Sequence, residues 1–180
     1  MDARIPFCGY QSCVQPDWID FNGHMNVAYY VLAFDQATDV FNANLGIGPE
    51  YTRDTRLSMF VVDMNVTYKR ELKEGTQINC TTQLLEFDAK KLRIYHQMFN
   101  ATEGYLAATN EIIMVHVDLQ TGRSWRASIK ALLSQTAQGD HCLSKLTDDQ
   151  TPVRQERCCS LCNRSCPFAR PRTISESVDG

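Results

Sequence analysis

The sequence contains no uninterrupted apolar run approaching the roughly 20 residues that a membrane-spanning helix needs. Its first residues, MDARIPFCGYQSC, lack the charged-then-apolar layout of a secretory leader. Neither a membrane partner nor export is therefore expected, and a cytoplasmic location is. A basic excess is missing as well, because 18 Lys and Arg stand against 21 Asp and Glu, for a net charge of -3. Gripping nucleic acid requires cationic side chains that neutralise phosphates, so the expected partner is a small molecule or another protein. Internal repeats are absent too, which excludes a solenoid.

What is present suits one domain: 180 residues, 43% of them apolar, are enough for a core. The eight cysteines are unevenly placed, with Cys142, Cys158, Cys159, Cys162 and Cys166 near the end and only Cys8, Cys13 and Cys80 in front. In a reducing compartment the front three act as small apolar residues or free thiols. From Gln135 to Gly180 apolar residues thin out, prolines recur and no hydrophobic period survives. Such a segment cannot bury enough apolar area to offset its ordering entropy. The expected organisation is a folded domain over 1–134 and a cysteine-containing, disordered tail over 135–180. The tail cysteines lack the paired C-x-x-C spacing of a structural zinc site, so neither a metal nor a cofactor is expected.

Between Val27 and Leu45 there is no Gly or Pro, and the first eight residues are apolar on every side of a helical wheel, which predicts a buried helix. Asn26 can cap its start, and Gly46, Gly48 and Pro49 stop it. Downstream the period becomes two. Phe60, Val62, Met64, Val66 and Tyr68 alternate with Val61, Asp63, Asn65, Thr67 and Lys69, predicting a strand that buries the even positions. Further strands are predicted near Tyr10–Val14, over Ile78–Phe87 and Leu92–Asn100, and from Tyr105 to Val117, with turns at Asp88–Lys91 and Glu103–Gly104. A short helical piece follows at Ser128–Ser134. The fold class is α+β, with an antiparallel sheet of about five strands wrapped around one long central helix.

Immediately before that helix, Asp20, Gly23, His24 and Asn26 form D-x-x-G-H-x-N within PDWIDFNGHMNVAYYVLAFDQATD. This resembles the signature of the 4-hydroxybenzoyl-CoA thioesterase family of hot-dog proteins. FVVDMNVTYKREL, LLEFDAKKLRIYHQM and EGYLAATNEIIMVHVDL resemble successive hot-dog strands, so the similarity covers roughly Gly9 to Leu133. Within the family the wording is most similar to the betainyl-CoA thioesterases of carnitine breakdown. The resemblance implies hydrolysis of an acyl-CoA to a free acid and coenzyme A, by a homodimer or homotetramer.

Thioester hydrolysis needs a group that attacks or activates water and a donor for the developing oxyanion. Asp20 is the expected catalytic carboxylate, as nucleophile or as general base, with His24 and Asn26 orienting it, the water or the carbonyl. The backbone amide at Val27 is the expected oxyanion donor, because a helix amino end presents unpaired N–H groups and positive potential, and Gly23 lets backbone and substrate approach. Trp18, Tyr29, Tyr30 and Phe60 could line an acyl pocket or hold a quaternary ammonium against aromatic faces. Asp63 could reach a neighbouring subunit's cleft, and Lys69 and Arg70 could meet coenzyme A phosphates. Asp35 matches a position where related thioesterases often carry an acid, and it also reads as a partner-paired helix carboxylate, the reading favoured here. Two other readings share the same residues: a hot-dog dehydratase, and a non-catalytic acyl-CoA-binding or interaction module.

Overall fold

A computed structural model describes residues 6–126 of the chain. The expected helical piece after Ser128 and the expected tail lie outside the described residues. The elements run β1 (Phe7–Cys13), a single 3-10 turn (Pro16–Trp18), α1 (Val27–Asn44), α2 (Pro49–Thr55), β2 (Leu57–Tyr68), β3 (Gln77–Phe87), β4 (Lys91–Asn100), β5 (Leu106–Asp118) and β6 (Arg123–Ser124). Five strands form one antiparallel sheet in the order β1-β3-β4-β5-β2, and the two-residue β6 pairs with the end of β5. The predicted α+β hot-dog architecture is thus observed, with α1 laid against one face of the sheet. Among the described residues no helix is long and apolar enough to cross a membrane.

α1 starts where Asn26 caps it, its Oδ1 accepting the Ala28 N–H at 2.9 Å. Tyr30, Ala33, Phe34, Ala37, Thr38, Phe41 and Asn42 make the buried stripe, recurring at the three- and four-residue spacing of one helix face. The expectation of a helix enclosed on every side is corrected here, since Val27 is 58% exposed and Leu32 also reaches solvent. A single sheet can curl over only part of a helix, so within one chain the far side stays open. Pro49 has a second role that the sequence reading missed. Besides ending the α1 region it starts α2, where its missing N–H costs nothing in the first turn.

β2 departs from its predicted pattern in an instructive way. Val61 pairs with Met114 and Asp63 with Ile113, so Val62 is the extra residue of a bulge. One inserted residue exchanges the faces on either side of it. Met64 and Val66 pack on the core as predicted, and the Tyr68 ring meets Tyr30 edge-on, but upstream it is Met59 that packs inward. Phe60 and Val62 are turned away, 47% and 59% exposed.

Under α1 the core is divided. One apolar cluster gathers Trp18, Tyr30, Phe34, Leu72 and Met98, and another gathers Phe41, Leu45, Leu92, Ile94, Ile112 and Met114. Between them a polar row crosses the sheet, with Asn110 opposite His96 and His96 opposite Thr82. The Thr38 hydroxyl donates to the Phe34 carbonyl at 2.9 Å, so its oxygen accepts the His96 Nε2 hydrogen at 3.0 Å. His96 Nδ1 must then accept, and the Thr82 hydroxyl donates to it at 2.8 Å. Burial holds this imidazole neutral, its pKa pushed down to about 4. His116 takes the opposite tautomer, with Nδ1 donating to the Trp125 carbonyl at 3.3 Å and Nε2 accepting from the Tyr51 hydroxyl at 3.0 Å.

Candidate active site

The D-x-x-G-H-x-N segment folds as a closed turn. Gly23 N–H donates to the Asp20 carbonyl at 3.0 Å, Asp20 N–H donates to the His24 carbonyl at 3.0 Å, and Ile19 bridges to Met25 just beyond. Asp20 Oδ1 accepts the Asn22 N–H at 2.8 Å, an Asx turn that fixes the side chain against its own loop. Gly23 has a φ of 79°, a left-handed conformation that costs other residues energy, and nothing crowds the place where a Cβ would sit. Its backbone conformation, and no close neighbour, is what the position demands.

The turn is joined to α1 and to the connection between β2 and β3. Asn26 N–H donates to the Trp18 carbonyl at 2.9 Å, and Met25 N–H donates to the Leu72 carbonyl at 2.8 Å. The Leu72 N–H in turn donates to the Tyr30 hydroxyl oxygen at 3.1 Å. At the start of α1, Asn26 accepts from Ala28 by its side chain and from Tyr29 by its carbonyl, at 3.0 Å for the latter. The Val27 N–H has no hydrogen-bond acceptor among the described residues and lies on the exposed side of the helix. This leaves one polarised donor at the positive end of an 18-residue helix, beside a carboxylate turn.

The structure brings Trp18, Asp20, Gly23, His24, Asn26, Val27 and Tyr29 to one corner. Trp18 and Tyr29 stack there, with centroids 5.5 Å apart and planes 13° from parallel. The His24 imidazole does not turn to Asp20 but meets Glu71, Nε2 to Oε2 at 3.2 Å. Its link to Asp20 runs through the backbone. Nothing in the run Lys69-Arg70-Glu71-Leu72 singled out Glu71 beforehand, since it sits among ordinary charged residues 47 positions along the chain.

Other expected site residues lie elsewhere. Tyr30 is a core residue, packed edge-on against Tyr68 at 5.3 Å, and burial pushes its hydroxyl pKa up to about 12. Phe60 faces away from α1 at the far end of β2, about 25 Å along the strand from Tyr68. It therefore lines no pocket with Trp18 inside this chain, and the bulge at Val62 is the reason. Asp63 also lies on the outer face, its Oδ1 accepting the Met64 N–H at 2.9 Å. Lys69 and Arg70 are exposed beside the corner, and the Arg70 guanidinium covers the Tyr105 ring at 3.9 Å. Asp35 is exposed on α1, about 12 Å along the axis from Val27. Partial burial raises the Asp39 pKa, and the Asp35 charge adds to the shift. Among the described residues no three His, Cys, Asp or Glu side chains converge to hold a metal.

A long helix on a curled antiparallel sheet, with an acidic turn at its amino end, defines the hot-dog class of thioesterases. Comparison with known proteins agrees. The family model described as the thioesterase-like superfamily matches residues 14–161. The betainyl-CoA thioesterase of Pseudomonas aeruginosa is 35% identical over 115 residues, 64% of this chain and 72% of the relative. The L-carnitine dehydrogenase/betainyl-CoA thioesterase of Agrobacterium fabrum is 31% identical over 69% of this chain, which spans only 25% of that longer protein. A Staphylococcus aureus protein solved in complex with CoA superposes with a TM-score of 0.67 at 23% identity, over 84% of this chain and 100% of that one. The chain belongs to the thioesterase-like superfamily and is a thioester hydrolase.

Proposed function

We propose that this chain hydrolyses acyl-CoA thioesters at the corner between the Asp20 turn and the amino end of α1, with betainyl-CoA as the acyl donor. The observation that carries the reading is the Val27 N–H, left without an acceptor among the described residues while Asn26 accepts from both Ala28 and Tyr29. A thioester carbonyl pointed at it would have its developing negative charge stabilised by a preoriented donor. Asp20 supplies the carboxylate. As a general base it takes a proton from water while the water oxygen bonds to the acyl carbon, the C–S bond then breaks, and the proton passes to the departing thiolate. As a nucleophile it bonds to the acyl carbon, expels the thiolate and leaves an anhydride for water to cleave. Single-turnover hydrolysis in 18O-labelled water separates the two, because only the anhydride route can leave unlabelled oxygen from Asp20 in the acid.

The betainyl assignment has two supports. The Pseudomonas aeruginosa relative named for that substrate is 35% identical, and the Trp18–Tyr29 stack puts aromatic faces beside the turn, where a quaternary ammonium could lie. With Tyr30 in the core and Phe60 remote, this pair carries the whole cationic preference. Exposed Lys69 and Arg70 are cations on the connection that meets the turn, available to coenzyme A phosphates.

One assay tests the reading: thiol release from betainyl-CoA and from neutral short and medium acyl-CoAs, by wild type and Asp20→Ala. The expected result is turnover that favours the cationic substrate and falls by about two to four orders of magnitude in the variant. Binding without turnover in either protein would instead favour an acyl-CoA-binding module. Equal rates for all substrates would remove the betainyl assignment alone.

The enzyme is further proposed to act in the cytoplasm as a homodimer or homotetramer. β2 is a sheet edge along which Phe60, Val61 and Val62 are all exposed, and a second copy would cover them. Light scattering that reports a monomer would overturn the assembly.

A further inference from the structure

We propose that Glu71 is a positioning residue of this site, holding the His24 imidazole in one tautomer and one direction. The inference rests on the reading above, in which the turn carrying His24 is where the thioester is cleaved.

The carboxylate is delivered by a segment with little freedom. Arg70 N–H donates to the Ala107 carbonyl at 3.0 Å, and the Tyr105 hydroxyl donates to the Glu71 carbonyl at 2.8 Å. The next residue, Leu72, is fully buried, and both its N–H and its carbonyl are engaged, with Tyr30 and with Met25. Met25 directly follows His24, so one backbone link joins the two segments a single residue from each partner. These bonds fix the Glu71 backbone one residue from the link to Met25, which sets its carboxylate within reach of His24.

A carboxylate has only acceptors, so at 3.2 Å its charge favours a hydrogen on the facing Nε2. His24 Nδ1 has no hydrogen-bond partner among the described residues, and in that tautomer it is the nitrogen able to accept a proton from water or a hydroxyl. The pair is too exposed to matter much for folding: the side chains are 36% and 55% accessible, and ion pairs in that setting contribute little. Orientation of the ring is what remains for Glu71 to do. This predicts a separation that a structural role would not show, activity lost while stability is kept.

The test measures kcat and KM for thiol release, with the acyl-CoA that wild type turns over fastest, together with Tm. Glu71→Ala is expected to lower kcat roughly 10- to 100-fold, the scale of a misplaced catalytic group, with KM and Tm close to wild type. Glu71→Gln keeps an acceptor oxygen and is expected to recover most of the loss. In a His24→Ala background, Glu71→Ala should cost nothing further, because its effect passes through the ring. Wild-type kcat in Glu71→Ala, or an undiminished loss in the His24→Ala background, would overturn the proposal. Failure of the underlying reading looks different: Asp20→Ala would then retain full turnover.

Discussion

The middle of α1 and its amino end treat polar groups in opposite ways. In the middle, the Thr38 hydroxyl and both His96 nitrogens are buried and joined in one chain of hydrogen bonds ending at Thr82. Asn110, buried with neither amide atom paired among the described residues, and Asn42, with an unpaired Oδ1, are exceptions. At the amino end, Val27 N–H, His24 and the Asp20 carboxylate all face accessible space, held by main-chain bonds that leave their reactive atoms open. The same 18-residue helix is therefore anchored at one level and reactive at another. Satisfied buried polar groups specify how an element packs, while groups left to react must be fixed by something else, here the Asx turn, the Asn26 cap and the Leu72 link.

That contrast can be broken from either side. The largest effect on stability is expected from the middle. Phe34 is fully buried and its ring lies 5.8 Å from that of His96. Phe34→Ala should cost about 3–5 kcal/mol in urea unfolding, through lost burial and the cavity left behind. Asp20→Ala should leave the unfolding midpoint nearly unchanged while removing turnover. If both variants lost stability alike, the division between anchor and site would be wrong.

Acid should find the anchor next. The folded pKa of His96 is about 4, below its ordinary value of 6.5, so the unfolded chain binds a proton more readily. Its neutral form contributes stability that is fully present above pH 6.5 and declines as pH falls toward 4, by about 3 kcal/mol in all. His116 shifts in the same direction, mainly through burial, and adds to the decline. Unfolding free energies measured from pH 7 to pH 4 should fall less in His96→Gln than in wild type. Parallel curves would refute the assignment.

The smallest effect sharpens the contrast, because it concerns a residue of the corner that also serves the helix. Asn26→Ala removes the acceptor for Ala28 N–H and should cost about 1 kcal/mol. It also adds a second unpaired N–H beside that of Val27. A fall in activity with no loss of stability would mean that Asn26 works on the substrate and not as a cap.

Much of the local structure was legible beforehand. The predicted helix, Val27 to Leu45, is observed from Val27 to Asn44, and Asn26 caps it as expected. The Asp88–Lys91 turn closes with Asp88 Oδ1 accepting from Lys90 and Lys91. These features depend on side chains acting within a few residues of their own backbone. The bulge at Val62 was not legible, because both alternations, Phe60-Val62-Met64 and Met59-Val61-Met64, are apolar and only pairing with β5 chooses between them. β6 is too short to have a period, and α2 was hidden behind residues that read as a stop.

The sequence by itself determined the helix, the strands, the turn at Asp20 and the family to which they belong, because periodicity, capping and turn chemistry act over short stretches of chain. Only the tertiary structure decided that His24 meets Glu71, that His96 joins Thr38 to Thr82, and that Phe60 lies away from the corner. The first depends on the backbone link between Met25 and Leu72 and the other two on strand register, and each is an agreement between distant segments that no single segment contains.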